Sequence, residues 1–195
     1  VLVIADERAN PTYVAADLMS QAEHDPMAAA ILITTSENLA KKVCAEIEIQ
    51  KAALPRNAII DRSLEKYGSI ILVENLNDAV EISNEIAPEH LELAVENPFE
   101  LLTLVKNAGS IFLGDNAPEP LGDYFAGPNH VLPTNGTARF SSALGVDSFI
   151  KKSSYLYYDS ESLQKVGAKV IKFAEAEGLG AHANSIRKRL KQNAE

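Results

Sequence analysis

Val1-Leu2-Val3-Ile4-Ala5 is an unbroken apolar run, too short for a stable helix and without strict polar alternation. A run of this kind reads as a strand buried on both faces, inside a parallel sheet covered by helices. Three further runs share its character, at residues 30–34, 69–73 and 110–113. Helical patterns separate them. Asn10 caps and Pro11 opens a helix with Val14 and Leu18 one turn apart. Ser36 caps a second, with Leu39, Val43 and Ile47 at i, i+4 spacing. Asn75 or Asn77 caps a third, with Val80 and Ile82 inward, closed before Pro88. Strands alternating with helices make an α/β layered fold with a mostly parallel sheet. A buried strand starting at Val1 suggests a piece of a longer polypeptide.

The pattern breaks after Ala143. Residues 154–159 are Tyr-rich and read as an edge strand. Ser160 then caps a long helix with Leu163, Val166, Val170 and Phe173 on one stripe, ended by Gly178 in the left-handed conformation. A second helix spans 182–192. The division is therefore an α/β domain over 1–143 and a mainly helical tail over 144–195. That tail has an apolar stripe but little chain of its own to cover it, and such an appendage packs against a partner subunit.

The 195 residues are 46% hydrophobic and 23% charged, ordinary for a globular protein. A net charge of −9 argues against nucleic acid or an anionic membrane as partner. No run reaches the length of a membrane span, and no signal peptide is recognised. Cys44 is the only cysteine, which suits a reducing, cytoplasmic compartment; its place beside Val43 reads as a small buried hydrophobe.

Candidate chemistry lies at element boundaries. Gly122-Asp123-Tyr124-Phe125-Ala126-Gly127-Pro128-Asn129-His130 reads as a loop, because its Gly and Pro disfavour helix and central strand. Asp123 and His130 are both capable of binding metal and of moving protons. The plain alternative is a surface loop with a capping Asp and a hydrogen-bonded His. Gln21 and His24 stand at i, i+3 near a helix end, on one face, where they either share a ligand or merely form a polar terminus. Glu89 and His90 place an acid beside an imidazole after a helix, and both suit proton transfer once their acidities are tuned. Glu177 and His182 flank Gly178-Leu179-Gly180, with His182 in the first turn of the last helix, where a neutral imidazole is favoured. Each pattern alone is weak.

Together these segments resemble the histidinol dehydrogenase family. The match carries Val1–Asp6, Ser20-Gln-Ala-Glu-His24, Pro88-Glu-His-Leu-Glu92, Gly122–His130, Val131-Leu-Pro-Thr-Asn-Gly-Thr-Ala-Arg-Phe-Ser141 and Glu177-Gly-Leu-Gly-Ala-His182, in the family's order. The resemblance implies oxidation of L-histidinol through an aldehyde to L-histidine, in histidine biosynthesis, with two NAD⁺ and one bound Zn²⁺ per subunit. It implies a Rossmann-like layered sheet, incomplete in this chain. It implies zinc ligands Gln21, His24 and Asp123 from one subunit and His182 from the other subunit of a homodimer. These four also contact the substrate, joined by His90, His130 and Glu177. Glu89 is implied as the base that activates water, and His90 as the acid/base for the alcohol proton. Only the family's C-terminal portion is matched, and no Gly-rich dinucleotide fingerprint occurs, so NAD contacts are expected in the absent N-terminal half. Two other readings stand beside this one: a zinc hydrolase using Glu89 and His90, and a non-catalytic metal- or solute-binding α/β module.

Overall fold

The computed structural model describes residues 1–191. It divides into two compact units, residues 1–149 and the chain from Ile150 onward.

In the first unit five parallel strands form one sheet: β1 (Leu2–Ala5), β2 (Ala30–Thr34), β3 (Gly68–Leu72), β4 (His90–Ala94) and β5 (Ser110–Leu113). Their order is β3-β2-β1-β4-β5, so the winding reverses between β1 and β4. Val3 pairs with Leu32 on one side and Glu92 on the other. Six α-helices belong to this unit: α1 (Pro11–Ala22), α2 (Glu37–Lys51), α3 (Asn57–Tyr67), α4 (Leu76–Ile86), α5 (Pro98–Leu102) and α6 (Glu119–Tyr124). Alternate residues of β1 serve two cores. Val1, Val3 and Ala5 pack with Val14 and Leu18 of α1 and Leu39 and Val43 of α2. Leu2 and Ile4 pack with Ala79 and Val80 of α4 and Leu101 of α5. Burial of each large apolar side chain contributes about 1.5–3 kcal/mol, so β1 is clamped from both faces.

Asn10, Ser36 and Asn75 each accept a hydrogen bond from the first turn of the helix that follows, which resolves the third cap in favour of Asn75. Several expectations are corrected. Strand β4 lies on His90-Leu91-Glu92-Leu93-Ala94, which alternates polar and apolar and so escaped a search for continuous apolar runs. Strand β3 is an edge, not a doubly buried strand: Ile70 and Leu72 are 37% and 53% exposed. Cys44 is exposed, because it falls one residue past the inward Val43 on α2.

The second unit holds α7 (Ser160–Ala176) and α8 (Gly180–Lys191). Residues 154–159 form no strand; among the described residues no segment pairs with them, and Tyr155, Leu156 and Tyr157 stand exposed. The cap of α7 is Asp159 rather than Ser160, with its carboxylate accepting from Ser162 N at 2.8 Å. Gly178 has φ +75°, the left-handed stop read from the sequence. The two helices pack so closely that a Cβ on Gly167 would sit 2.9 Å from Leu190. The stripe itself is only partly used: Val170 and Phe173 are exposed. The expected end of the last helix at Gln192 lies outside the described residues.

Candidate active site at the amino ends of the strands

Strand β4 begins on His90, and the turn before it is tight. Ala87 ends α4 in the left-handed conformation, φ 54°, and sends the chain through Pro88 and Glu89 into the sheet. Gly109, next to β5, has no room for a side chain, since a Cβ there would lie 2.5 Å from the Glu89 carbonyl oxygen. Glu89 is thus fixed at the amino end of the sheet. It helps line a cavity of about 340 Å³ with Val1, Gln21, Pro88, Asn135 and Gly136.

His90 is buried at 6% exposure. Its Nδ1 lies 3.2 Å from Gln21 Oε1, which also receives the Val1 nitrogen at 3.1 Å. With Nδ1 as the donor to the amide oxygen, Nε2 is the ring's unprotonated nitrogen. That Nε2 is buried without a hydrogen-bond partner and lies 4.0 Å from Glu119 Oε1. Burial pulls the His90 imidazole down to about 4, opposed by Asp123. Near neutral pH the ring is a neutral base.

Asp123 was read as a loop residue; it sits in the last turn of α6. Pro120 fits the first turn of that helix, and Gly122 lets it lie against Phe112, where a Cβ would meet the ring at 2.6 Å. One ligand-capable atom from each of His90, Glu119 and Asp123 lies within 4.8 Å of the others. Burial raises Glu119 to about 7, with Asp123 adding to the shift. Burial also raises Glu89, with Asp123 adding to the shift. His24 follows α1 and is exposed, yet its charge is felt at both Glu89 and His90.

The fold thus gathers Gln21, Glu89, His90 and Asp123, with His24 close by. His130 is exposed on the segment after α6. Glu177 is the C-cap of α7, and His182 is exposed in the first turn of α8, both in the second unit. Sequence reading missed Glu119, Glu92 and Asp17. Glu92 is 5% exposed, and its Oε1 accepts the Glu119 N–H at 3.0 Å. Its only sequence signal is an acid between two leucines of a strand.

At the opposite, carboxyl end of the strands a second hollow of about 410 Å³ is lined by Asp6, Arg8, Glu96 and Asp115. Three of these groups satisfy one another: Asp6 accepts from the Arg8 and Glu96 nitrogens at 2.9 and 2.7 Å, and Arg8 pairs with Glu96.

A family model described as histidinol dehydrogenase matches residues 1–190. Among curated proteins, the histidinol dehydrogenase of Clostridium acetobutylicum is 61% identical over 191 residues, 98% of this chain and 44% of that protein. That of Caldanaerobacter subterraneus subsp. tengcongensis is 62% identical over 186 residues, 95% of this chain and 43% of that protein. The crystal structure of histidinol dehydrogenase from Elizabethkingia anophelis superimposes with a TM-score of 0.86 at 43% identity, covering all of this chain and 45% of that one. The chain spans less than half the length of the relatives it matches.

Proposed function

The chain belongs to the histidinol dehydrogenase family, and from that premise we propose that the full-length protein oxidises L-histidinol by way of the aldehyde to L-histidine. The observation that carries this reading is the convergence of Gln21, Glu89, His90 and Asp123 beside a free imidazole nitrogen.

The residues fit a zinc site of nitrogen and oxygen donors. Gln21 and Asp123 both lie by His90, from α1 and α6, and His24 is near enough to act on it electrostatically. We assign Gln21, His24 and Asp123 as ligands, completed by His182 from a second copy of the chain. Zinc, when bound, would anchor and orient the nitrogen donors of an imidazole-bearing substrate. NAD⁺ would accept hydride in each oxidation; its contacts are assigned to the part of the relatives that this chain does not span.

His90 does the proton work of the first oxidation. A neutral Nε2 can take the hydroxyl proton as hydride leaves the carbinol carbon, because loss of hydride from an alcohol requires loss of that proton. Gln21 holds the ring in the tautomer that leaves Nε2 free. The second oxidation needs water added to the aldehyde. Glu89, made more basic by burial, takes a proton from that water. His130 and Glu177 are assigned to substrate contact, with Glu177 crossing from the partner. The division of labour is then a site-bearing α/β domain, 1–143, and a dimerising tail, 144–195. The lone exposed Cys44 suits a cytoplasmic, reducing setting, and among the described residues no helix is long and apolar enough to cross a membrane.

The test is turnover by the full-length protein. Zinc-loaded enzyme should form two NADH per histidinol consumed, and metal removal should stop it. A zinc-loaded, folded protein that forms no NADH from histidinol refutes the proposal.

A further inference from the structure

Beneath the site lies a second set of side chains in register with it. Asp17 precedes Gln21 by four residues on α1, Glu119 precedes Asp123 by four on α6, and Glu92 follows His90 by two on β4. Four residues on a helix and two on a strand return to the same face. Each site residue therefore has an acid one step below it on its own element. The three acids meet. Glu92 Oε1 accepts the Glu119 N–H at 3.0 Å, and the Glu92 and Asp17 carboxyls lie side by side, each acting on the other's acidity. Glu119 reaches up to Ser20, 3.5 Å away, and to His90 Nε2 at 4.0 Å.

This is an unusual place for an acid. Glu92 is 5% exposed, and its strand neighbours Leu91 and Leu93 are fully buried. A leucine there would avoid the desolvation cost. What an apolar side chain cannot do is hold two helices at once. The Glu119 N–H is among the unpaired donors at the start of α6, and the Glu92 oxygen satisfies it.

We propose that Glu92, with Asp17, is a positioning device: it ties α1 and α6 to β4 and so sets where Gln21 and Asp123 stand relative to His90. The proposal rests on the zinc reading above for its consequence, but the tie itself is independent of that reading. A protonated Glu and a Gln offer the same acceptor and a comparable donor, so Glu92→Gln preserves the tie. Glu92→Leu keeps the volume and loses it.

Two readouts in the full-length protein separate tie from consequence. Hydrogen exchange of the Glu119 amide reports the tie, and zinc affinity by chelator competition reports its consequence. In Glu92→Leu the Glu119 amide should exchange faster and zinc affinity should fall by about 10–100-fold, as for groups supporting metal ligands elsewhere. Glu92→Gln should hold both near the parent values. Asp17→Ala, at a less deeply buried position and milder to the fold, should weaken zinc binding in the same direction by about tenfold. Parent-like zinc affinity in both Glu92→Leu and Asp17→Ala, or equal loss in Glu92→Gln and Glu92→Leu, overturns the proposal. A parent protein that binds no zinc removes the metal reading instead, and the Glu119 amide rate then decides the tie alone.

Discussion

His90 Nδ1 lies 3.2 Å from Gln21 Oε1, joining the first residue of β4 to the last turn of α1. With Nδ1 as the donor in this contact, Nε2 is left as the base. His90→Asn keeps a donor that can face Gln21 and removes the base. Turnover should fall by roughly 10²–10⁴-fold, the usual weight of a general base. Zinc content and histidinol binding should stay near the parent level. Metal analysis and steady-state kinetics check this, and a variant that turns over at the parent rate would disprove the assignment.

Glu89→Gln should injure the two oxidations unequally. Only the aldehyde-to-acid stage needs an activated water, so its rate should fall more than that of the alcohol stage. Supplying the aldehyde separately and comparing single-turnover rates measures the difference. Small and equal losses in both stages would remove Glu89 from the role of base.

Gly109→Ala tests the backing of Glu89. The new methyl would meet the Glu89 carbonyl at 2.5 Å, a main-chain atom with little freedom to retreat. A stability loss of about 1–3 kcal/mol is expected by denaturant titration, with a fall in kcat for the aldehyde stage. An unchanged unfolding midpoint and unchanged kcat would show that the β4–β5 edge yields freely.

Stability should also depend on pH through Glu92. Burial, with Asp17 close by, raises this carboxyl from 4.5 to about 8. The unfolded chain releases the proton first, so the folded form binds more protons between those values. The contribution is fully present below about pH 4.5 and is lost as pH rises toward about 8. Glu92→Gln, which cannot ionise, should flatten the decline of Tm over that window. A parent and variant with parallel profiles would mean that Glu92 titrates alike folded and unfolded.

Mixing variants tests the shared site. His182→Ala and Asp123→Ala dimers should each be nearly inactive. In a mixed dimer one site carries both lesions and the other carries neither, so random pairing should restore about a quarter of the parent activity. A mixture that exchanges subunits and stays inactive would place each site within one chain.

The layered fold was legible because β1, β2 and β5 are continuous apolar runs and because Asn10 and Ser36 sit where a helix needs a cap. Strand β4 was not, since buried His90 and Glu92 interrupt its apolar pattern. A side chain buried for chemistry looks, in sequence, like one that faces water. Asp123 was singled out correctly as a candidate but given the wrong backbone, because Gly122 and Pro120 suggest a loop until Phe112 is seen filling the space a Cβ would take. Glu119 and Asp17 carry no local signal at all. Their meaning depends on Glu92, which is 27 residues from Glu119 and approaches only through the sheet.

The candidate site occupies the amino ends of the strands, whereas α/β sheets of this winding usually receive ligands at the carboxyl ends. The turns after β1 and β4 consequently lie a strand's length away from His90. Asp6, Arg8 and Glu96 knit those turns to one another, so a disturbance there reaches His90 only by travelling the length of the strand.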